Sequence, residues 1–163
     1  MIINVFSYKK AIEECKNNNN KNWISIRDFG FDVYNEIDQL ASNILPIYFD
    51  DVTYYNVKHD LIHPIYKEIK QKRNLILFSN IEAKKIIDFA NEVYINNNIL
   101  NIHCWAGRSR SQAIGQALNT YFNLFLNNNK NDFLTNLNNN ISKYMPNPDI
   151  LKILNHNLYL NKI

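Results

Sequence analysis

Apolar and polar positions alternate along the first fifty residues in blocks that predict strands and helices in turn. An apolar run over residues 1–6 predicts a strand, and the helical spacing that Ser7 opens continues to the Asn tract at 17–20. The next three predicted elements are a strand over 23–26, a helix over 36–42 and a strand over 44–49. The first third of the chain therefore predicts a β-α-β-α-β order.

The second half of the chain continues this alternation after a stretch without a clean period. Residues 50–78 are long for a loop in a compact domain, so we expect them to be functional or to hold short helices. Ser79 and Glu82 have the spacing of a capping box, ahead of an apolar stripe that predicts a helix to Ile95. The remaining predicted elements are a strand over 99–103, a helix from Arg110 to the Asn tract at 127–129, a helix after Asn131, and a helix with Asn147 as cap and Pro148 at its first position.

This order predicts an α/β fold with a central, mostly parallel sheet of about four to five strands flanked by helices. With 163 residues, the chain has the usual length of a single domain, which we expect to span residues 1–163. Asn tracts fall between the predicted elements at irregular intervals, so they are interpreted as loop residues rather than repeats.

Composition and charge add only broad limits to this picture. Apolar residues make up 46% of the chain and charged residues 20%, which is typical of a packed globular domain. The net charge of +3 suits a phosphate-bearing partner but is too small to indicate nucleic acid by itself. No apolar run approaches the ~20 residues of a membrane span, and residues 1–6 are too short for a signal peptide. We therefore expect a soluble, cytosolic protein that does not bind membranes.

The most informative segment is the loop between the strand over 99–103 and the helix that follows it. Cys104 would lie among the unpaired N–H groups at the positive end of that helix, which favours a thiolate. The five residues after it can form a nest of backbone amides around an anion, with Gly107 allowing a close approach. Arg110 adds a fork of donors shaped for two phosphate oxygens. The sequence thus predicts a phosphate-binding loop that contains a nucleophile.

These residues resemble the signature of the protein tyrosine phosphatase superfamily: His103, Cys104, five residues, Arg110 and Ser111. The form His-Cys-x-Ala-Gly-x-Ser-Arg-Ser is most similar to the compact dual-specificity-like members, often found in bacteria and large DNA viruses. The resemblance implies a cysteine phosphatase fold and a reaction that needs no metal or other cofactor.

The resemblance also implies a role for each matching residue. Cys104 would attack phosphorus to form a phosphocysteine, while Arg110 and the loop amides hold the three equatorial oxygens. Ser111 would help the thiolate leave in the second step, and His103 would order the loop and tune the thiol. The residues implied to bind the substrate phosphate, or a free phosphate or sulfate ion, are Trp105, Ala106, Gly107, Arg108, Ser109 and Arg110.

The mechanism needs a general acid, which we expect to be an aspartate on a neighbouring loop. The resemblance of Phe49-Asp50-Asp51 to the Phe-x-Asp strand end of small phosphatases favours Asp51, with Asp50 as the second candidate. However, Cys104 lies 53 positions after Asp51, which is more than is usual in dual-specificity members. This departure leaves Asp60 as a rival.

Other features of the sequence carry weaker hypotheses. His59 and His63 have the i, i+4 spacing of a zinc-binding helix, but no third ligand is evident and Pro64 follows, so no metal site is predicted. Cys15 lies on the apolar face of the first predicted helix, which favours core packing over a redox partnership with Cys104.

The sequence therefore predicts a phosphatase that hydrolyses phosphotyrosine in a protein substrate, with phosphoserine and phosphothreonine as further candidates. One alternative is an RNA 5′-phosphatase or triphosphatase of the same fold. It is disfavoured because Arg108 is the sole extra charge in the loop. The other alternative is a binding module that recognises phosphoproteins without turnover.

Overall fold

The computed structural model describes residues 1–17, 22–29, 34–96, 99–122 and 145–160. Four parallel strands form one sheet in the order β1-β4-β2-β3. Their bounds are Ile2–Ser7 for β1, Asn22–Arg27 for β2, Asn43–Tyr48 for β3 and Ile99–Cys104 for β4. The predicted α/β fold with a parallel sheet is confirmed.

Seven helices connect and flank the strands in the described part of the chain. They are α1 (Tyr8–Asn17), α2 (Asn35–Leu40), α3 (Tyr54–Lys58), α4 (Pro64–Lys72), α5 (Asn80–Asn96), α6 (Arg110–Asn119) and α7 (Pro148–Leu160). The segment predicted to hold short helices thus contains α3 and α4. The helix expected after Asn131, and the expected end of α6 at 127–129, lie outside the described residues.

Local capping explains where two of the helices begin. At α5, Glu82 accepts a hydrogen bond from the backbone N–H of Ser79 at 3.1 Å, as the capping box predicts. The Ser79 hydroxyl accepts from the N–H of Ile81, also at 3.1 Å, one residue earlier than the usual pattern. At α7, the Asn147 side chain accepts from the N–H of Asp149 at 3.1 Å, and Pro148 is the first helical residue.

Both faces of the sheet are covered, which explains why β2 and β4 are buried along almost their whole length. Side chains alternate between the faces along each strand. Ile24 and Ile102 pack in the larger core with residues of α5, α6 and α7, whereas Trp23 packs in a smaller cluster with residues of α1 and α2. Cys104 belongs to the larger core and ends the strand that lies between β1 and β2.

The ends of the segment that carries α3 and α4 are joined by a partly buried ion pair. Asp50 is fully buried and accepts hydrogen bonds from Nη1 and Nη2 of Arg73 at 2.9 and 2.8 Å. Its carboxylate also accepts from the backbone N–H of Ile76 at 2.8 Å, and its own N–H donates to the Ile76 carbonyl at the same distance. Asp50 therefore holds the segment closed against the sheet.

The Asp50→Asn substitution is expected to lower the free energy of unfolding by about 2 kcal/mol, because it removes the charge that the Arg73 guanidinium faces. Asp60→Asn is the matched control. Asp60 is exposed and pairs with Lys67 at 3.2 Å on the surface, so its charge contributes less than about 1 kcal/mol. Urea unfolding of both variants measures the difference, and equal stability of the two would contradict the role assigned to Asp50.

Candidate active site

The loop between β4 and α6 surrounds the sulfur of Cys104 with hydrogen-bonding groups. The backbone N–H of Gly107 donates to Cys104 Sγ at 3.2 Å, and the Ser111 hydroxyl lies 3.1 Å from the same sulfur. Cys104 also faces the N-terminus of α6, which begins at Arg110. Donors and the positive end of a helix dipole stabilise negative charge on a sulfur placed this way.

Gly107 allows the loop to pass close to the end of β1. Its φ angle is +68°, and a Cβ atom added there would lie 2.6 Å from the backbone nitrogen of Ser7 and 2.8 Å from the carbonyl carbon of Phe6. The loop is also tied to the start of α1, because the N–H of Tyr8 donates to the carbonyl of Trp105 at 3.1 Å. Only glycine fits this position without displacing backbone.

The Gly107→Ala substitution is expected to lower the free energy of unfolding by more than about 2 kcal/mol. It combines an unfavourable left-handed backbone with a clash against fixed backbone atoms. Denaturant unfolding measures the loss, with Ala106→Gly at the exposed neighbouring position as the control. The predicted close approach would be contradicted if Gly107→Ala were as stable as that control.

Arg110 is buried beneath the loop and is held by an aspartate that the sequence analysis did not single out. Its Nη1 and Nη2 donate to the two carboxylate oxygens of Asp28 at 2.8 and 3.1 Å, and Nη1 also donates to the carbonyl of Phe49 at 2.9 Å. Burial alone would lower the pKa of Arg110, but Asp28 and Asp51 outweigh it and raise that pKa above its ordinary value. The guanidinium therefore stays charged.

One nitrogen of Arg110 remains available. Among the described residues, its Nε has no hydrogen-bond partner although it is buried. Asp51 Oδ2 lies 3.8 Å from this nitrogen, too far for a hydrogen bond. A buried N–H donor without a partner is costly, so this atom is suited to an incoming anion.

The three candidate acids occupy very different environments. Asp51 lines the cavity above the loop, where its Oδ1 accepts from the Ser109 hydroxyl at 2.7 Å and from Asn147 Nδ2 at 3.3 Å. Asp50 is fully buried in its pair with Arg73, and Asp60 is exposed. Of the three, Asp51 shares the cavity with Cys104.

The cavity has a volume of about 490 Å³ and opens at the carboxyl ends of the strands, where parallel sheets bind ligands. Apolar and aromatic groups make up much of its lining, together with the functional residues already described. These groups belong to Tyr34, Ile65, Tyr66, Ile69 and Trp105. Ala106, Arg108 and Ser109 of the loop also line it, whereas Gly107 does not.

Trp105 and His103 both contact Tyr8 at the start of the loop, but their environments differ. Trp105 is half exposed and stacks on Tyr8 with 5.7 Å between ring centroids, so it forms part of the cavity rim. His103 is fully buried against the rings of Tyr8, Trp23 and Tyr34. Burial and then the charge of Arg27 lower the pKa of His103 to about 3, so its imidazole is neutral at pH 7.

The structure does not support a zinc site at His59 and His63 or a disulfide between the two cysteines. His59 follows the last residue of α3 and His63 precedes the first residue of α4, so the two do not lie one turn apart on a helix. The described residues contain no cluster of three or more side chains that could hold a metal ion. Cys15 and Cys104 are both free thiols. Within the described ranges, no helix has the length and apolar character needed to cross a membrane.

Asp28 and Tyr66 are site residues that sequence reasoning missed. Asp28 directly follows β2, which lies between β4 and β3 in the sheet; its position at a strand end is visible in the sequence, but its closeness to β4 is not. Tyr66 comes from α4, in a segment whose sequence has no clean period. Because Tyr66 is distant in sequence from the loop after β4, no local pattern indicates that it belongs to the site.

No protein-family profile matches this sequence, and no curated protein sequence matches it. Solved structures do match its fold. PTPMT1 in complex with PI(5)P has a TM-score of 0.59 at 12% identity, over 99% of this chain and 95% of that chain. Tk-PTP in the active form has a TM-score of 0.52 at 14% identity, over 96% of this chain and 92% of that one. The chain therefore has the fold of the protein tyrosine phosphatase-like phosphatases.

Proposed function

We propose that this protein is a cysteine-dependent phosphatase that hydrolyses phosphotyrosine in proteins through a phosphocysteine intermediate. The observation that carries the proposal is the meeting of three groups at one cavity of about 490 Å³, namely Cys104 Sγ, the Arg110 guanidinium and the Asp51 carboxyl. A nucleophile, a cationic anion-binding group and an acid are the parts that this reaction needs.

In the first step, the Cys104 thiolate attacks phosphorus and the bond from phosphorus to the tyrosine oxygen breaks. The leaving oxygen takes a proton from Asp51, which the Ser109 hydroxyl holds at 2.7 Å. Backbone amides of the loop other than that of Gly107, which donates to Cys104 Sγ, and the unpartnered Nε of Arg110 donate to the equatorial phosphate oxygens. Phosphotyrosine is thereby converted to a free tyrosine hydroxyl and a phosphocysteine.

In the second step, Asp51 accepts a proton from a water molecule whose oxygen attacks the phosphocysteine. The bond between phosphorus and sulfur breaks, and its electron pair returns to Cys104. The Ser111 hydroxyl, 3.1 Å from Sγ, donates to the departing thiolate and lowers the energy of this step. Inorganic phosphate leaves and the starting protonation state of Asp51 is restored. The neutral, buried His103 packs at the start of the loop against the rings of Tyr8, Trp23 and Tyr34, and it transfers no proton.

The composition of the cavity lining supports an aryl phosphate as substrate. The rings of Tyr34, Tyr66 and Trp105 suit a flat apolar ring attached to the phosphate. Arg108 and Arg110 are the only cationic side chains in the part of the lining that the structure describes, and Arg110 already pairs with Asp28. A polyphosphorylated ligand such as an RNA 5′-triphosphate requires more positive charge than this.

A phosphoinositide is the second candidate substrate, because the similar protein PTPMT1 was solved in complex with PI(5)P. Its single phosphomonoester could reach Cys104 in the same way. The apolar lining favours an aryl group over a hydroxyl-rich inositol ring, which would leave polar groups facing apolar walls.

A substrate panel tests the proposal. The panel contains a phosphotyrosine peptide, a phosphothreonine peptide, PI(5)P in detergent micelles and a 5′-triphosphorylated RNA, with phosphate release as the measurement. The expected result is the highest kcat/KM on the phosphotyrosine peptide. Preference for PI(5)P or RNA would replace the proposed substrate class. Binding of the peptide without turnover of any substrate would instead indicate a phosphoprotein-binding module.

A further inference from the structure

The hydroxyl of Tyr66 lies between the two loops that carry the acidic residues of the site. Tyr66 Oη accepts a hydrogen bond from the backbone N–H of Asp51 at 3.1 Å, and it lies 3.5 Å from Asp28 Oδ1. Because a phenol has one proton, the two contacts are compatible when the hydroxyl donates to Asp28 and accepts from Asp51. One side chain of α4 thus connects the loop after β3 with the loop after β2.

These two contacts require a protonated Tyr66 hydroxyl, and the surroundings of Tyr66 keep it protonated. Burial raises the pKa of Tyr66 above its ordinary value, although Arg110 acts in the opposite direction. The phenol is therefore neutral at any physiological pH and retains its donor for Asp28. Its ring lines the cavity next to the substrate position.

In the described part of the chain, the other hydrogen bonds of Asp51 are made by its carboxyl group. The Ser109 hydroxyl and Asn147 Nδ2 both contact Oδ1, so these bonds fix the side chain but not the backbone that carries it. In the turn that follows, the N–H of Val52 donates to the carbonyl of Asp50 at 2.9 Å. Within the described residues, the hydrogen bond to Tyr66 connects the backbone N–H of Asp51 to α4.

We propose that Tyr66 is a positioning residue that fixes the backbone of Asp51, so that the Asp51 carboxyl is aimed at the leaving oxygen. The inference rests on the proposed function, in which Asp51 is the general acid. It also gives a role to the segment between β3 and α5, which supplies α4 and lengthens the separation between Asp51 and Cys104. Misplacement of a catalytic group by a fraction of an ångström to one ångström lowers rates strongly.

The test compares Tyr66→Phe with Tyr55→Phe on two substrates. Tyr66→Phe keeps the ring on the cavity wall and removes only the hydroxyl, while Tyr55 is an exposed phenol outside the cavity lining. Phenyl phosphate has a leaving oxygen that needs a proton, whereas p-nitrophenyl phosphate has one that the nitro group stabilises. We measure kcat/KM, which reports the first step alone.

For Tyr66→Phe, kcat/KM is expected to fall by about 10-fold on phenyl phosphate and by less than about 3-fold on p-nitrophenyl phosphate. Tyr55→Phe is expected to leave both values unchanged. Equal losses on the two substrates, or no loss on phenyl phosphate, would overturn the positioning role. A purely structural or phosphate-binding effect would lower both values alike.

Hydrogen exchange followed by NMR tests the contact without relying on activity. In Tyr66→Phe, the amide of Asp51 loses its acceptor and should exchange faster than in the wild type, while the amide of Val52 keeps its bond to Asp50. Unchanged protection of Asp51 would overturn the proposed positioning. A wild-type protein that hydrolyses neither aryl phosphate would instead contradict the proposed function, so the two failures are distinct.

Discussion

Replacing Cys104 with serine is expected to lower kcat/KM for a phosphotyrosine peptide by at least about 10⁴-fold. A serine hydroxyl is far less acidic than a thiol, so it is not ionised at neutral pH by the donors that face Sγ. The loop amides and Arg110 are unchanged, so the variant should still bind inorganic phosphate. Phosphate release measures the first effect and isothermal titration calorimetry measures the second.

Cys15→Ser is the matched control for this prediction, because Cys15 is the other thiol of the chain. Burial and, to a smaller extent, Glu14 raise the pKa of Cys15 to about 11, so this thiol remains protonated at neutral pH. It lies on α1 and does not line the cavity. Two results would contradict the assignment of Cys104 as the nucleophile. One is activity that survives in Cys104→Ser, and the other is activity that disappears in Cys15→Ser.

The position of the loop between β4 and α6 was predictable because the residues that form it are neighbours in the chain. Cys104, Gly107 and Arg110 lie within seven consecutive residues, and strand-to-helix periodicity around them is clear. The loop conformation follows from the same short stretch, since Gly107 takes the positive φ angle that the turn against β1 requires. A sequence reveals a site of this kind when the residues that make it are neighbours in the chain.

The partner of Arg110 was not predictable by the same reasoning. Asp28 is 82 residues away in sequence and meets Arg110 only because β2 pairs with β4 in the sheet. The alternation of elements predicts parallel strands but not their order, and the order decides which strand ends lie beside Cys104. Tyr66 is harder still, since it lies on α4 in a segment without a clean period and 38 positions before Cys104.

The choice between Asp50 and Asp51 shows a second limit of sequence reasoning. The two residues are adjacent beyond β3, where no strand period decides which one faces the cavity. The decision comes from distant groups, because Arg73 and Ile76 hold Asp50 in the interior while Ser109 and Asn147 hold Asp51 at the cavity. The strand-end resemblance favours Asp51, and the structure places this residue in the cavity with Cys104.

Replacing Asp51 with asparagine is expected to lower kcat/KM for phenyl phosphate by about 10²- to 10³-fold. The amide keeps the size of the side chain and can still form a hydrogen bond with Ser109. However, it has no acidic proton to transfer to the leaving oxygen. For p-nitrophenyl phosphate, the loss of kcat/KM should be at least tenfold smaller, because the nitro group stabilises the leaving oxygen without a proton. Steady-state kinetics on both substrates gives the comparison.

Two further variants decide whether Asp51 alone has this role. Asp60→Asn removes an exposed carboxyl that pairs with Lys67, and Asp50→Asn removes the buried partner of Arg73. Below the temperature at which Asp50→Asn begins to unfold, both should keep the wild-type dependence of kcat/KM on the leaving group. If either variant, rather than Asp51→Asn, showed the selective loss on phenyl phosphate, that aspartate would be the general acid. The hydrogen bond from Ser109 would then only hold the loop.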